Sequence, residues 1–222
     1  MKAIITDYDY TLSDKFLTVE FLHLLEEKGV IQGYKKEYKG LIDSYRKGEV
    51  SYNDFVATDM DFIKKYLKGV EYTKIIETIR EDFNPEKNIF NWSKQIRDTF
   101  KQDEWLFIVI SSTMDLLLES VQDILEFDSY YCSTYEIKDK KFTGEFKCQV
   151  KSEEKGKYVK MLSKDLDYLV VVGDAPGDFE MMKYANSAYL FEPDQYTINK
   201  LDDMECKIID RDNALKTLQK EV

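Results

Sequence analysis

Three stretches of this chain are apolar without interruption and short enough to be strands. Residues 2–6 (KAIIT), 106–110 (LFIVI) and 168–172 (YLVVV) lack the alternation of a half-buried strand. Continuous apolar runs of this length suit parallel strands covered on both faces. Each runs into polar residues: Asp7, then Ser111 with Ser112, then Gly173 with Asp174. Helical spacing follows the second and third, as MDLLLESVQDILEF after Thr113 and DFEMMKYA after Gly177. This alternation predicts an α/β fold with a doubly wound parallel sheet. Ligand crevices in such sheets open beyond the carboxyl ends of the strands, so these polar residues are expected on one rim.

Between the first two strands the period changes. FLTVEFLHLLEEKG, YKKEYKGLIDSYRKG, SYNDFVATDMDFIKKYLKG and EYTKIIETIRE have helical spacing with charged faces, punctuated by Gly29, Gly48 and Gly69. The pattern predicts an inserted α-helical bundle over residues 15–90, leaving 1–14 and 91–222 as the core. Its aromatics (Phe16, Phe21, Tyr45, Phe55, Phe62, Tyr66) read as packing residues. Further on, YYCSTYEIKDKKFTGEF reads as a hairpin around the polar turn KDKK, and SEEKGKYVKML as another helix.

A length of 222 residues allows one domain or a core with an insertion. Lys and Arg number 32 against 43 Asp and Glu, a net charge of −11 that argues against nucleic-acid binding. A phosphorylated substrate remains compatible if a cation offsets the repulsion. Three dispersed cysteines (Cys132, Cys148, Cys206) suit a reducing cytoplasm rather than a disulfide framework. The first ten residues do not resemble a signal peptide, and no apolar run is long enough to span a membrane. The single histidine, His23, lies in a helical run and reads as an ordinary helix residue.

The chemistry-bearing residues gather at the strand ends. Asp7 and Asp9 in DYDYTLS can hold a hard cation, or divide the work of nucleophile and acid–base; alone they also fit an acidic turn. Asp174 and Asp178 in GDAPGDFEMM bring two more carboxylates to the same rim, with Asp178 also suited to capping a helix. Oxygen donors without His or Cys nearby fit Mg²⁺ better than a transition metal. Ser111 precedes a helix and fits either an anion site or a simple cap. Lys155 can supply a fixed positive charge, with Lys157 as its neighbour in sequence.

Taken in order, DxDxT, Ser, Lys and GDxxxD resemble the motif series of the haloacid dehalogenase superfamily, over essentially the whole chain. The resemblance implies a Rossmann-like core with a helical-bundle cap inserted after the first motif. GEVSYNDF and KKFTGEF are similar to the phosphoserine phosphatase-like branch. On this resemblance Asp7 is the nucleophile that forms an aspartyl-phosphate, and Asp9 the general acid and base. Thr11 and Gly173 support the loops, while Ser111, Ser112 and Lys155 bind phosphate. The Mg²⁺ ligands it implies are Asp7, Asp9 through its backbone carbonyl and Asp174, with Asp178 either a further ligand or a residue that supports the ligands. The second acid of DxD favours phosphate chemistry over dehalogenation, because a departing alkoxide needs a proton and a halide does not.

The resemblance therefore implies a Mg²⁺-dependent phosphatase acting on a small phosphorylated metabolite. A phosphoryl-accepting receiver-like module and a catalytically silent binding protein are the alternatives, the first disfavoured by the large insertion and the DxD pair. Two departures speak against phosphoserine itself. Phe16 stands where phosphoserine phosphatases carry an acid, and Ser111-Ser112-Thr113 replaces Ser-Gly-Gly. Tyr10 occupies a position that is often small in the family, and Asp14, Lys15 and Met114 are expected near the pocket.

Overall fold

The apolar run Lys2–Thr6 forms strand β1, with Ala3, Ile4 and Ile5 wholly removed from solvent. The computed structural model describes residues 1–101 and 104–222. Its other strands are β2 (Trp105–Met114), β3 (Ser129–Lys138), β4 (Lys141–Cys148), β5 (Tyr168–Gly173), β6 (Ser187–Phe191) and β7 (Lys207–Ile209). The helices are α1 (Leu17–Glu27), α2 (Tyr34–Arg46), α3 (Tyr52–Leu67), α4 (Tyr72–Glu81) and α5 (Ile96–Thr99). They continue as α6 (Asp115–Leu125), α7 (Ser152–Leu162), α8 (Phe179–Met182), α9 (Gln195–Asn199) and α10 (Ala214–Leu218).

The chain divides into two compact units. The first comprises 1–16, 85–133 and 149–222 and contains the parallel strands in the order β3-β2-β1-β5-β6-β7. The order reverses at β1, which pairs with β2 on one side and β5 on the other. Alternate residues of the strands, Ala3 and Ile5, Ile108 and Ile110, Leu169 and Val171, join Val159 of α7 and Met181 and Met182 of α8 in one core cluster. The intervening Ile4, Val109 and Val170 are buried as well, which is why these strands read as unbroken apolar runs. Each such side chain contributes about 1.5–3 kcal/mol through its burial.

The second unit comprises 17–84 and 134–148. Its four helices follow the predicted periodicity closely. Ser51 caps α3 by accepting the Asp54 N–H. The insertion expected over 15–90 omits one piece: the β3–β4 hairpin belongs to this unit as well. Gly69 and Tyr72 donate backbone hydrogen bonds to the carbonyls of Phe142 and Lys140, and Phe142 donates to Val70. Gly144 has a φ of +85°, and a Cβ there would come within 2.9 Å of the Lys64 carbonyl in α3. The hairpin turns at Asp139 and Lys140, both with positive φ, as a tight two-residue turn requires. Among the described residues no helix is long and apolar enough to cross a membrane.

Candidate active site

The candidate site lies in the first unit, where the order of strands reverses at β1. The Asp7 N–H continues the ladder by donating to the Val172 carbonyl at 3.0 Å, so Asp7 sits directly beyond the paired part of β1. The chain then folds over itself: the N–H groups of Thr11, Leu12 and Ser13 all point at the Tyr8 carbonyl, within 2.8–3.3 Å. Tyr10, with φ of 57°, makes the sharp bend and remains partly exposed, its ring edge-on to Phe16.

At the end of β5, Gly173 leaves room for an acid. A Cβ on this residue would lie 2.5 Å from both Cβ and Oδ2 of Asp178. Asp178 is thereby folded back beneath its own loop, where Oδ2 accepts the N–H groups of Asp174 (3.0 Å) and Ala175 (3.2 Å). Its other oxygen accepts the Lys155 ammonium at 2.7 Å, and the same ammonium lies 3.0 Å from Asp7 Oδ2. Lys155 is buried although it is a lysine, because α7 turns it inward. Lys157, two residues on, is exposed and paired with Glu153 and Glu154.

Asp7, Asp174 and Asp178 each present a carboxylate oxygen within 4.8 Å of the others. Thr11 Oγ1 donates to Asp174 Oδ1 at 3.2 Å. Burial first, then repulsion from the neighbouring carboxylates, pushes both Asp7 and Asp174 upward. Asp7 is raised to about 7, with Lys155 acting against the rise. Burial pulls Lys155 down, but Asp178 and Asp7 together outweigh it and hold the ammonium above its ordinary value.

With all three carboxylates ionised, a single ammonium leaves two negative charges uncompensated in a buried site, which is why burial and repulsion favour their protonated forms when no cation is bound. Asp7 Oδ1 is buried and has no hydrogen-bond partner. An oxygen-only donor set with an excess charge of two and an orphaned carboxylate oxygen fits a hard divalent cation.

The Asp9 carboxylate is not one of these three. It is 3% exposed, and its Oδ2 accepts Thr113 Oγ1 at 2.8 Å and Ser111 Oγ at 3.4 Å. Ser111 Oγ also accepts the Thr113 N–H at 3.2 Å. Ser111 and Thr113 reach the same side because they are two residues apart on β2, where the pairing with β3 shifts between Ile110 and Met114. Thr113 is the residue to which the sequence reading assigned no role, although its i, i+2 relation to Ser111 was visible. Ser112 between them is partly exposed, whereas Met114, expected near the pocket, is buried. Asp14 is exposed and Lys15 lies beside it on the same loop. His23 belongs to the second unit, where it packs on Tyr34 and Tyr38.

A family model described as haloacid dehalogenase-like hydrolase matches residues 4–183. No curated protein sequence matches the chain significantly. Among solved structures, a phospho-aspartyl intermediate analogue of phosphoserine phosphatase superposes with a TM-score of 0.70 at 19% identity, covering 100% of this chain and 98% of the other. A substrate-bound phosphoserine phosphatase gives 0.69 at 19% identity over the same shares. A phosphoserine phosphohydrolase-like protein from Francisella tularensis gives 0.67 at 16% identity, covering 98% and 99%. At these identities the likeness establishes a shared fold.

Proposed function

The chain belongs to the haloacid dehalogenase-like hydrolases, and on that premise we propose that it is a Mg²⁺-dependent phosphatase of a small phosphomonoester. The observation that carries this reading is the Lys155 ammonium shared between Asp7 and Asp178, beside Asp174, at the strand ends where a ligand enters such a sheet. Mg²⁺, held by Asp7, Asp174 and the Asp9 backbone carbonyl, would supply positive charge beside the phosphoryl oxygens. Asp178 holds this arrangement together, since both of its oxygens already accept donors from Lys155 and the loop.

Asp7 is the nucleophile, one of its carboxylate oxygens forming the bond to phosphorus. Lys155 keeps the attacking carboxylate and the anionic ester together against their repulsion. Ser111, Ser112 and the N–H groups opening α6 receive the phosphoryl oxygens. Asp9 protonates the departing alcohol and later takes a proton from the attacking water. Thr11 and Gly173 support the loops that carry Asp9 and Asp174. The phosphoserine phosphatase neighbours support a small substrate, while Phe16 in place of an acid favours one other than phosphoserine. Three free cysteines support action in the cytoplasm.

The test is a panel of phosphorylated metabolites and aryl phosphates with Mg²⁺. Hydrolysis by the wild type is expected, lost on chelation, with Asp7→Asn slower by roughly 10³-fold or more. A metal-loaded wild type inert across the panel refutes the reading.

A further inference from the structure

We infer that Tyr10 and Phe16 form an aromatic clamp that selects phosphomonoesters whose alcohol carries an apolar group, above all an aryl ring; this deepens the phosphatase reading above and rests on it. Tyr10 directly follows Asp9 on the loop beyond β1, and its ring stands edge-on to that of Phe16, with centroids 5.9 Å apart and planes at 66°. Both aromatics and Asp9 belong to the first unit. Tyr10 keeps 46% of its surface accessible and Phe16 is half-buried, so neither ring is committed to the core, unlike Tyr8 and Leu12 of the same loop. Nor does the bend call for a ring. The Tyr10 φ of 57° is a conformation that glycine adopts freely and a Cβ resists, so a bulky side chain works against the turn it stands in. Backbone strain of this kind gathers where a side chain has a task at a site.

The place of the pair defines that task. In the proposed reaction the departing oxygen comes within hydrogen-bond reach of the Asp9 side chain, so the group beyond that oxygen lies beside the loop that carries Asp9 and Tyr10. Rings at this position remove an apolar group from water. Two rings set edge-on also offer an edge and a face, the two geometries in which an aryl group pairs favourably. A carboxylate on the same alcohol would surrender its water against these rings and stand next to the acidic Asp9. The clamp therefore favours an aryl or alkyl phosphate over the phosphate of a hydroxy acid.

The experiment measures kcat and KM, with Mg²⁺ present, for benzyl phosphate and ethyl phosphate, esters of two primary alcohols of similar acidity that differ in the ring. The wild type is expected to favour benzyl phosphate by about 10–100-fold in kcat/KM, chiefly through KM. Y10G and F16A are each expected to narrow that preference about 5–10-fold, again through KM, and Y10F, which keeps the ring, to retain it. Y10G also separates the ring from the fold, because glycine suits the bend: its melting temperature is expected to stay within about 3 °C of the wild type. If either Y10G or F16A lacks a cooperative melting transition, the other carries the comparison. Equal turnover of both esters by the wild type, a preference that survives in the folded variants, or its loss in Y10F overturns the clamp while the phosphatase reading stands. A wild type that hydrolyses other phosphorylated metabolites but not benzyl phosphate overturns it as well. Inertness toward every phosphomonoester refutes the phosphatase reading and this inference with it.

Discussion

Lys155 and Asp178 form an ion pair of 2.7 Å with both side chains almost wholly out of water. Such a pair is strongly destabilising to break from one side, because the remaining charge keeps its desolvation penalty and loses its partner. In this protein the penalty is compounded, since Asp7 is 3.0 Å from the same ammonium and Asp174 belongs to the same group.

Removing the ammonium leaves three crowded carboxylates with no counter-charge. Lys155→Met is expected to lower the metal-free stability by about 3–5 kcal/mol, and kcat/KM by roughly 10²-fold or more. Thermal melting with and without Mg²⁺, together with aryl phosphate kinetics, checks both. A variant that melts like the wild type in the presence of chelator contradicts the geometry.

The acids also set a pH dependence whose sign follows from linkage. Asp7 titrates near 3.8 when unperturbed and at about 7 in the folded protein, so the folded state binds that proton more tightly. Asp174 is shifted the same way. The Asp7 contribution to metal-free stability is therefore fullest below about pH 4 and is lost as pH rises through about 7, and that of Asp174 changes in the same direction. A bound cation compensates the ionised carboxylates and counters the loss. With Mg²⁺ near one hundred times its dissociation constant, melting at about pH 8 is expected to rise by about 5–10 °C, and by clearly less at about pH 5. Scanning calorimetry across this range, with chelator as reference, measures the difference.

Gly173 is required by contact rather than by backbone angle. Gly173→Ala places a methyl group 2.5 Å from Asp178 Cβ and Oδ2, so the Asp178 side chain has to move. The expected cost is about 1–3 kcal/mol, accompanied by loss of most of the Mg²⁺-dependent rise in melting temperature. A substitution that left metal stabilisation intact would show that Asp178 does not organise the site.

Arg97 provides a control far from the chemistry. Its guanidinium donates to Asp128 Oδ2 at 2.6 Å and to the carbonyls of Phe100, Trp105 and Glu126, while Asp128 also accepts the Phe107 N–H. Arg97→Ala takes the counter-charge from Asp128 and the donors from three carbonyls, so about 3–5 kcal/mol is expected to be lost. At temperatures where the variant remains folded, kcat is expected to match the wild type. A selective fall in kcat would reveal coupling to the site that the contacts do not account for.

The strands at the centre of the sheet and the four helices of the second unit were legible because their signals are local. A strand covered on both faces must be apolar at every position, and a helix with one wet face must repeat its apolar residues every three or four positions. The acids and hydroxyls were legible as well, since they stand where those runs stop. The resemblance to a known motif series then supplied their proposed roles.

Tertiary structure decided what depends on residues distant in sequence. Strands β6 and β7 are short and take extended form by pairing, and the β3–β4 hairpin joins the helical unit through hydrogen bonds to residues 69–72. Lys155 and Lys157 look alike in a string, but only one lies on the buried face of α7 and meets Asp7 and Asp178. The placement of Asp9 apart from the three converging carboxylates, on the hydroxyls of Thr113 and Ser111, likewise appears only in three dimensions. Periodicity along a chain reports which side of an element is dry. Which charges share that dry space is settled by long-range packing, where each buried ion must find its partner.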